Sequence, residues 1–574
     1  MNQNYLRLAM LLLVSWANIW PGGSFASNLQ EPARNPAREK AKKETCTVSG
    51  MVVKLAGSEP IKSAMVRLRK ADDQNQGYVA ITDGGGHFEL KQVEAGRYRL
   101  EVSRSGFVTQ QFGQKTPDDP GALLTLSPGE NLSDRIFRLI PSAVIAGKIM
   151  DEDGQPLSGT MVSAMREVYT EGKRKLQIQS MTGTDDLGEF RLFGLSPGRY
   201  ILSALYSPHQ WGQGIDNFKD LGESKSDRGY VTTYYPGSPD PSKASPIAIK
   251  SGEELRSMDM LLPQVGVYKI RGRVFNGVTH HAANEVFLSL TPKNSRFVWN
   301  IDNYTNVQKD GSFELRNVLS GSYTLAAHWF DEGKAYTARQ TVDVGNADID
   351  GLTLTIAPGV AIEGHLAWEG NPSVEEQELK VMATESNDVY WGGGQTRVLA
   401  NGAFTLKDIS EGTYKLNVEG ISQDCYVKSI RYGMSDATSE GFTVQRGADA
   451  ALDVTVSSRG ARIKGSVADV DGLPAAGAWV ALVPEEAHRA EFRLYKSKTT
   501  DQHGNFELRG IAPGDYKLFS WEQVESQAWE DAEFLKQFDE KGEKIRVQDG
   551  DQKTQNLTAI APRARSRQSR SYSI

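Results

Sequence analysis

One spacing pattern occurs five times along this chain and constrains its fold more than any other feature. Each copy places a Phe two residues after a Gly, a second Gly eight residues after that Phe, and a Tyr two residues further on. The copies are Gly86/Phe88/Gly96/Tyr98, Gly188/Phe190/Gly198/Tyr200, Gly311/Phe313/Gly321/Tyr323, Gly402/Phe404/Gly412/Tyr414 and Gly504/Phe506/Gly514/Tyr516. Five copies with one internal spacing indicate one structural unit that is used five times.

The residues of this signature predict a turn followed by two strands. An Asp or Asn with a Gly close behind it precedes each Phe, which is typical of a tight turn that needs a positive φ. These turn residues are Asp83, Asp185, Asp310, Asn401 and Asp501. A Leu follows each signature Phe, and each signature Tyr, at a distance of two residues. Because strand side chains alternate between faces, we expect each such pair to point into a core.

A strand with a central Gly opens each unit about 40 residues before the signature Phe. These head glycines are Gly50, Gly147, Gly272, Gly364 and Gly465. Further apolar strands follow after Gly-containing turns, which gives roughly seven short strands per unit. Many short strands with regular turn signals and no sustained helical period predict an all-β sandwich. The stretch 526–538 is helix-like and is expected to be an insertion in the fifth unit.

The chain is too long for one hydrophobic core, so we expect several domains. The pattern places β-sandwiches at residues 45–140, 141–264, 265–359, 360–459 and 460–562. Residues 27–44 and the basic, Ser-rich tail at 563–574 are expected to be disordered. The connections between the units are short, which predicts that neighbours touch in an elongated, semi-rigid array.

The first residues resemble a targeting signal. A polar start with one positive charge precedes an apolar run from Leu8 to Trp16, and Ser24-Phe25-Ala26 is typical of a cleavage site. We expect cleavage after Ala26 and an exported protein, in the periplasm, on the outer surface or secreted. An uncleaved anchor is the alternative, although the apolar run is short for a membrane span. No later run predicts a transmembrane segment.

Charge and cysteine content exclude two further classes. The formal net charge of −7 argues against a nucleic-acid partner, which would require a basic surface. Cys46 and Cys425 are the chain's two cysteines and fall in different units. A protein of this size with two distant cysteines is not held together by disulfides, so we expect structural or free thiols.

At the level of motifs, the units resemble the carboxypeptidase regulatory-like domain. The matching residues are a Gly-x-Val head, Asp-x-x-Gly-x-Phe-x-Leu in the middle and Pro-Gly-x-Tyr-x-Leu after it, with units two and five closest. Units three and four have Ser320-Gly321 and Glu411-Gly412 in place of Pro-Gly. The resemblance implies tandem transthyretin-like (prealbumin-like) sandwiches of the bacterial exported type. It implies a fold more than a ligand, because turn and core residues make up the motifs.

Domains of this kind accompany zinc carboxypeptidases, so a metal site has to be considered. His488 and Glu491 have the spacing of a zinc pair, but the one later histidine, His503, is too near to be the distant third ligand. His280 and His281 are neighbours, which would point to opposite faces of a strand. We therefore predict no metal site, no cofactor and an exposed turn at the His pair.

Nucleophilic chemistry is not indicated either. The sequence has no Gly-x-Ser-x-Gly elbow, and neither cysteine has a His nearby. Asp185-Asp186 and the stretch 151–153 could be calcium ligands or catalytic carboxylates, but they occupy turn positions where Asp is wanted for its backbone hydrogen bonds. The prediction is no catalytic residue and hence no enzyme.

Aromatic residues in polar, Gly- or Pro-rich inserts are the remaining functional signal. Trp391, Trp211 and the pair Tyr234 and Tyr235 lie in such stretches. An exposed aromatic ring can stack on a sugar or on a protein partner. The alternative is that these rings cover interfaces between neighbouring units.

The sequence therefore predicts an exported, non-catalytic binding or structural protein of the cell envelope, with a polysaccharide or an envelope protein as partner. By resemblance, carbohydrate or peptide-like polymers are the expected ligands. The alternatives are an adhesin-like spacer and an accessory subunit of an envelope hydrolase or outer-membrane transporter.

Overall fold

A computed structural model describes residues 44–562 apart from 72, 74–75, 118, 207–226, 284, 294–302, 332–333, 372–378, 386–392, 446 and 448–449. This part of the chain is nearly all strand, so the predicted fold class is confirmed. The predicted signal peptide (1–26), the leader up to residue 43 and the tail (563–574) lie outside the described residues. The predicted unit boundaries are kept below as names for repeats one to five.

Repeat one has two sheets whose buried side chains form one core. Its strands are β1 (Cys46–Lys54), β2 (Met65–Lys70), β3 (Gly77–Ile81), β4 (His87–Val93), β5 (Gly96–Ser103), β6 (Gln110–Gln111), β7 (Leu124–Leu126) and β8 (Asn131–Leu139). The first sheet has the order β4-β1-β8. The second has the order β3-β2-β5-β6, and β7 also pairs with β5.

Repeat two follows the same plan around its own core. Its strands are β9 (Ala143–Met150), β10 (Thr160–Thr170), β11 (Lys173–Gly183), β12 (Glu189–Leu195), β13 (Gly198–Tyr206), β14 (Arg228–Gly229), β15 (Thr233–Tyr234), β16 (Ile247–Ile249), β17 (Glu254–Leu255) and β18 (Met260–Leu261). A 3-10 turn spans Pro241–Lys243. One sheet has the order β12-β9-β17, with β18 also on β9, and the other has the order β11-β10-β13-β15, with β16 on β13.

Repeat three differs because its two halves are joined. Its strands are β19 (Val265–Gly266), β20 (Tyr268–Asn276), β21 (Phe287–Pro292), β22 (Asn303–Asn306), β23 (Ser312–Val318), β24 (Gly321–Asp331), β25 (Lys334–Val344) and β26 (Ile349–Pro358). The order is β22-β21-β24-β25-β26-β20-β23, and β19 pairs with β14 of repeat two. The two halves meet where Tyr336 and Thr337 of β25 pair with Pro358 and Ala357 of β26.

Repeat four again has two sheets around one core. Its strands are β27 (Val360–Glu369), β28 (Lys380–Glu385), β29 (Gly394–Arg397), β30 (Ala403–Ile409), β31 (Gly412–Glu419), β32 (Tyr426–Tyr432), β33 (Ser435–Asp436), β34 (Phe442–Val444) and β35 (Leu452–Ser457). The orders are β30-β27-β35-β32-β33 and β29-β28-β31-β34.

Repeat five adds a short helical insertion to the same plan. Its strands are β36 (Ala461–Ala468), β37 (Trp479–Pro484), β38 (Lys496–Thr499), β39 (Asn505–Ile511), β40 (Gly514–Trp521), β41 (Glu543–Val547), β42 (Gln552–Thr554) and β43 (Leu557–Thr558). The helix α1 (Ala532–Lys536) lies among 3-10 turns at Glu486–His488, Phe492–Leu494, Ala528–Glu530 and Asp539–Lys541. The sheets are β39-β36-β42, with β43 also on β36, and β38-β37-β40-β41. The helix-like stretch at 526–538 is therefore one 3-10 turn followed by one short helix.

The head glycine of each repeat lies opposite the signature Phe. The antiparallel pairs are Gly50 with Phe88, Gly147 with Phe190, Gly272 with Phe313, Gly364 with Phe404 and Gly465 with Phe506. A Cβ atom on any of these glycines would overlap either a backbone carbonyl oxygen from the last segment of the same repeat or, in repeat four, the Phe ring. Glycine is therefore required here because the chains approach so closely.

The signature Tyr fixes the turn before its own strand. In each repeat its hydroxyl donates to the carbonyl oxygen four residues earlier, at 2.7–3.0 Å. The five rings are buried, as are the Leu residues two positions on. The prediction that both side chains point inward is confirmed. Such a tyrosine satisfies a buried carbonyl and holds the corner of the sandwich.

The turn before each signature Phe is closed by the predicted Asp or Asn. Asp83 Oδ1, for example, accepts from the backbone N–H of Gly85 at 2.9 Å and of His87 at 2.8 Å. Asp185 and Asp501 accept from two backbone N–H groups in the same way. The Gly that follows in each repeat has a φ between +71° and +84°. Asp185 therefore has the structural role that was predicted for it.

Repeats one and five are in contact. This contact differs from the predicted elongated array, in which the first and last units would be far apart. Leu123 and Asp501 form a parallel bridge. The Gln502 side-chain amide then pairs with the backbone of Thr125, since its Oε1 accepts from Thr125 N at 2.9 Å and its Nε2 donates to Thr125 O at 2.6 Å. The side chain of Gln502 thus takes the place of a strand beside β7.

Repeat two also contacts repeat five, through the hairpin between β10 and β11. The rings of Tyr169 and Phe534 meet edge to face, with centroids 6.1 Å apart. Gly172 at the hairpin tip lies against the backbone of Glu530, because a Cβ there would be 2.7 Å from the carbonyl oxygen. Burial, reinforced by the Glu171 carboxylate, raises the pKa of Glu530 to about 7.

Repeats four and five are joined by ion pairs. Asp424 accepts from Arg509 Nε at 2.7 Å and from Arg462 Nη2 at 3.2 Å. The hydroxyl of Tyr426 donates to Asp549 at 2.6 Å, and Arg459 links Asp549 to repeat four. Burial raises the pKa of Asp424, but the two arginines outweigh burial and lower it overall. Repeat five therefore contacts repeats one, two and four.

We predict that Gly147→Ala destabilises repeat two by about 2 kcal/mol or more, because the new methyl group has no space beside the carbonyl of Met258. Gly183→Ala is the matched control, since a Cβ at Gly183 meets nothing within 4 Å. Hydrogen exchange of β9 and β12 in the full chain measures the difference. Equal protection in the two variants would contradict the proposed role of the head glycine.

We predict that the contact between repeats two and five weakens as pH rises from about 4.5 to about 7. The carboxyl of Glu530 has a raised pKa when docked, so docking favours the protonated form and loses stability as the group ionises beside Glu171. The measurement is proteolytic cleavage within 167–174 of the full chain at pH 5 and pH 8. Glu530→Gln removes the pH dependence, whereas Glu540→Gln, at an exposed position, leaves it unchanged.

Candidate ligand cleft between repeats three and four

Of the four aromatic residues predicted to bind a ligand, the structure describes only Tyr234 and Tyr235. Trp211 and Trp391 lie outside the described residues. Tyr234 is 3% exposed and packs with Met165 and Leu176, because β15 pairs with β13. Tyr235 is half-buried against the core of repeat two. Tyr234 therefore offers no exposed ring for stacking. Its polar neighbours in the sequence did not indicate that it belongs to a buried strand.

The His and Asp residues considered for metal binding have other partners. His488 Nδ1 lies 2.8 Å from Glu491 Oε1, and Arg493 donates to the other carboxylate oxygen at 2.7 Å. Asp151 Oδ1 accepts from the backbone N–H groups of Asp153 and Gln155, which is the predicted turn role. Across residues 44–562 as described, no group of three or more His, Cys, Asp or Glu side chains could hold a metal ion.

Both cysteines are buried and free, as predicted. The Cys46 thiol donates to the carbonyl oxygen of Ser127 at 3.0 Å. Burial raises the pKa of the Cys425 thiol, which keeps it protonated. A protonated, buried thiol is a poor nucleophile, so Cys425 does not have the surroundings of a reactive cysteine.

A cleft of about 470 Å³ lies where repeats three and four meet. Its walls are residues 337–340 of β25, residues 353–355 and 357–358 of β26, and residues 360 and 409–412 of repeat four. The cleft exists because β25 and β26 pair at their ends and then run with different partners, β24 and β20. One residue, Gly359, separates β26 from β27 and joins the two repeats.

The deepest charged groups at this junction belong to different repeats. Arg339 of β25 forms an ion pair with Glu385 of β28, and their side chains are 17% and 3% exposed. Burial lowers the pKa of Arg339, but an arginine remains charged at physiological pH. Burial, and then the Arg339 charge, lower the pKa of His328 to about 3, so this neighbouring imidazole is neutral.

Several buried polar atoms at this junction have no hydrogen-bond partner among the described residues. They are Nε and Nη2 of Arg339, Oε2 of Glu385 and Oγ of Ser410. Ser410 is 5% exposed, and its carbonyl oxygen accepts the hydroxyl of the signature residue Tyr414. Gly412 is also in the wall, where a Cβ would lie 3.2 Å from Glu385 Oε1. The polar groups of two repeats thus converge on one side of the cleft.

The sequence did not single out Arg339, Glu385 or Ser410. Ser410 lies four residues before its signature Tyr, where the other repeats have Glu94, Ser196, Leu319 and Ala512. Nothing in this variation marks Ser410 as functional. Arg339 and Glu385 are typical of exposed strand positions and become buried only because two repeats meet.

We predict that Glu385→Leu destabilises the junction by about 3 kcal/mol, because it leaves the Arg339 charge buried without its partner. The double variant Arg339→Met with Glu385→Leu is expected to recover most of this loss, since it removes both charges. Hydrogen exchange of β25 and β28 in the full chain measures both effects. A double variant as unstable as the single one would contradict a desolvated ion pair.

No helix among the described residues has the length and apolar content needed to cross a membrane. No curated protein matches the chain. Among solved structures, the Bacillus anthracis TIE protein matches at 13% identity over 55% of this chain, with a TM-score of 0.16, and this chain covers 51% of it. A streptococcal ancillary pilin matches at 10% identity, covering 54% of this chain and 99% of the pilin, with a TM-score of 0.18. The minor pilin of Streptococcus agalactiae matches at 12% identity, covering 38% and 97%, with a TM-score of 0.22.

The family model of the carboxypeptidase regulatory-like domain matches residues 47–130. This segment contains the head glycine Gly50, the signature residues Phe88 and Tyr98, and the turn residue Asp83. Each has the structural role described above for all five repeats. Residues 47–130 therefore match the carboxypeptidase regulatory-like domain, and repeats two to five carry the same signature residues in the same strand pairing.

Proposed function

We propose that this chain is an exported, non-catalytic binding and structural protein of the cell envelope, with a polysaccharide as its ligand. The position of the cleft between repeats three and four carries the proposal. The insert that contains Trp391 begins at residue 386, directly after Glu385 of the buried ion pair. A tryptophan ring offers a flat apolar face for a sugar, and the walls of the cleft offer hydroxyl and amide groups.

The non-catalytic part of the proposal rests on how the repeated residues are used. The signature Gly, Phe and Tyr, and the Asp or Asn of the turn, all serve the sandwich framework. His488 and Glu491 pair with each other, and the two thiols are buried. The export part rests on the sequence of residues 1–26, which resembles a cleavable signal.

The insert that contains Trp211 is a second candidate for sugar stacking. It leaves β13 after Tyr206 and returns before Tyr230, and the rings of these two residues meet edge to face 5.0 Å apart. The two ends of the insert are therefore held together at the surface of repeat two. Segments that leave a rigid framework and return to it commonly carry binding residues.

A structural role, as an adhesin-like spacer or an accessory subunit, is the second candidate function. The contacts of repeat five with repeats one, two and four favour it, because they restrain repeats that are distant in sequence. The Gln502 amide pairing and the Asp424 ion pairs are of the kind that hold protein domains in fixed positions. In this case the aromatic inserts would contact neighbouring repeats or a partner protein.

We predict that residues 27–574 are retained by at least one of a panel of insoluble polysaccharides and peptidoglycan. Trp391→Ala should weaken retention roughly threefold to tenfold, the contribution of one aromatic contact. Phe330→Ala is the matched control, because Phe330 is 74% exposed on β24 and lies outside the insert. Circular dichroism checks that each variant is folded.

Retention that is lost with Trp391→Ala or Trp211→Ala and kept with Phe330→Ala supports the binding role. Retention on no polymer, together with faster proteolysis of the Trp variants, would instead favour the spacer role. Cross-linking in the native envelope would then identify the protein partner.

A further inference from the structure

The cleft between repeats three and four has the size of a small-molecule site. Its volume of about 470 Å³ falls within the range of roughly 300–1,000 Å³ that is common for ligand pockets. Thr353 and Thr355 place exposed hydroxyl groups on one wall, and Gln340 places an amide beside them. Val360 and Ile409 add an apolar part of the lining.

The cleft wall, together with Glu385 behind it, contains polar atoms that a folded protein rarely leaves unsatisfied. Buried polar groups nearly always have a hydrogen-bond partner, and a missing partner points to water or a ligand. Here Arg339 Nε and Nη2, Glu385 Oε2 and Ser410 Oγ have none among the described residues. Ser410 is 95% buried and lines the cleft, so a molecule that enters can reach its hydroxyl with little movement of the wall.

These atoms differ in what they can accept or donate. The two guanidinium nitrogens only donate, the carboxylate oxygen only accepts, and the serine hydroxyl does both. An anion could only accept, and it would also face the carboxylates of Glu385 and Glu411. A cation could only donate, and it would face Arg339. A neutral group that both donates and accepts is the best match.

We propose that this cleft binds one or two units of a neutral sugar through their hydroxyl groups. The inference rests on the proposed function, since it names the ligand class of a polysaccharide-binding protein. A sugar hydroxyl can accept from Arg339 or Ser410 and donate to Glu385, and the C–H face of the ring can lie on Val360 and Ile409. Glu385 lies behind the residues that line the cleft, so contact with its carboxylate requires a small separation of the two repeats.

Gly359 is the residue at which this separation can occur. It is the one residue between β26 and β27, and its N–H donates to the carbonyl oxygen of Ala335 at 3.1 Å. A small rotation about this residue moves Ser410 and Gly412 away from the strand that carries Arg339. The hydroxyl groups of the ligand can then form hydrogen bonds with the polar atoms that have no partner in the closed junction.

Isothermal titration of residues 27–574 tests the proposal with defined probes. The neutral probes are cellotriose, maltotriose and chitotriose, and the comparison probes are trigalacturonate and trialanine. We expect one neutral trisaccharide to bind at a single site, and Ser410→Ala to weaken it roughly fivefold to tenfold, as expected for one lost hydrogen bond. Thr355→Val, on the opposite wall, is expected to weaken binding as well.

Ser196→Ala is the matched control, because Ser196 is the counterpart of Ser410 in repeat two and its carbonyl accepts the hydroxyl of Tyr200 in the same way. This variant should bind like the unmodified protein. Binding that is unchanged in Ser410→Ala and Thr355→Val would overturn the proposal. So would equal or tighter binding of trigalacturonate or trialanine, or no binding of any neutral trisaccharide.

The two proposals can fail separately. Retention on a polymer that depends on Trp391 but not on Ser410 would keep the proposed function and overturn the assignment of the cleft. Titration with a trisaccharide that depends on Ser410, without retention on any polymer, would keep the cleft and overturn the polysaccharide role.

Discussion

The close approach of backbone at the head glycine is the constraint on which the rest of each repeat depends. Because the head glycine has no side chain, the strand that carries the signature Phe can approach it on one side and the last segment of the repeat on the other. The head strand can therefore pair with both neighbours at once, and in repeats three and four the Phe ring also occupies space that a side chain would have taken. The signature Tyr and the turn Asp then hold the two ends of the strand that follows.

The sequence predicted the turns and the buried residues of each repeat, because the repeated pattern consists of turn and core residues. The period-two alternation of Phe88 and Leu90, or of Tyr98 and Leu100, directly reflects which side chains are buried. Tyr234 was predicted to be an exposed residue of an insert but is buried in a strand, because a short strand within a polar, Pro-rich stretch has no periodic signal. The cleft could not be predicted, since Arg339 and Glu385 are unremarkable residues that become buried only where two repeats meet.

Function in this chain is therefore expected at the junctions between repeats rather than inside them. Each sandwich uses its signature residues to hold itself together. The junctions instead bring together residues that vary between repeats, such as Ser410, Glu530 and Gln502. A repeated fold can in this way produce a different surface at each junction, although every unit is built by the same rules.

The pairing of Gln502 with Thr125 has a consequence for solubility. β7 lies at the border of its sheet, and a free strand border is a template on which other chains can pair and aggregate. The Gln502 amide occupies both the N–H and the C=O of Thr125. One side chain from the last repeat thus shields the first from edge-to-edge association, a protection that is complete only after the whole chain has been synthesised and folded.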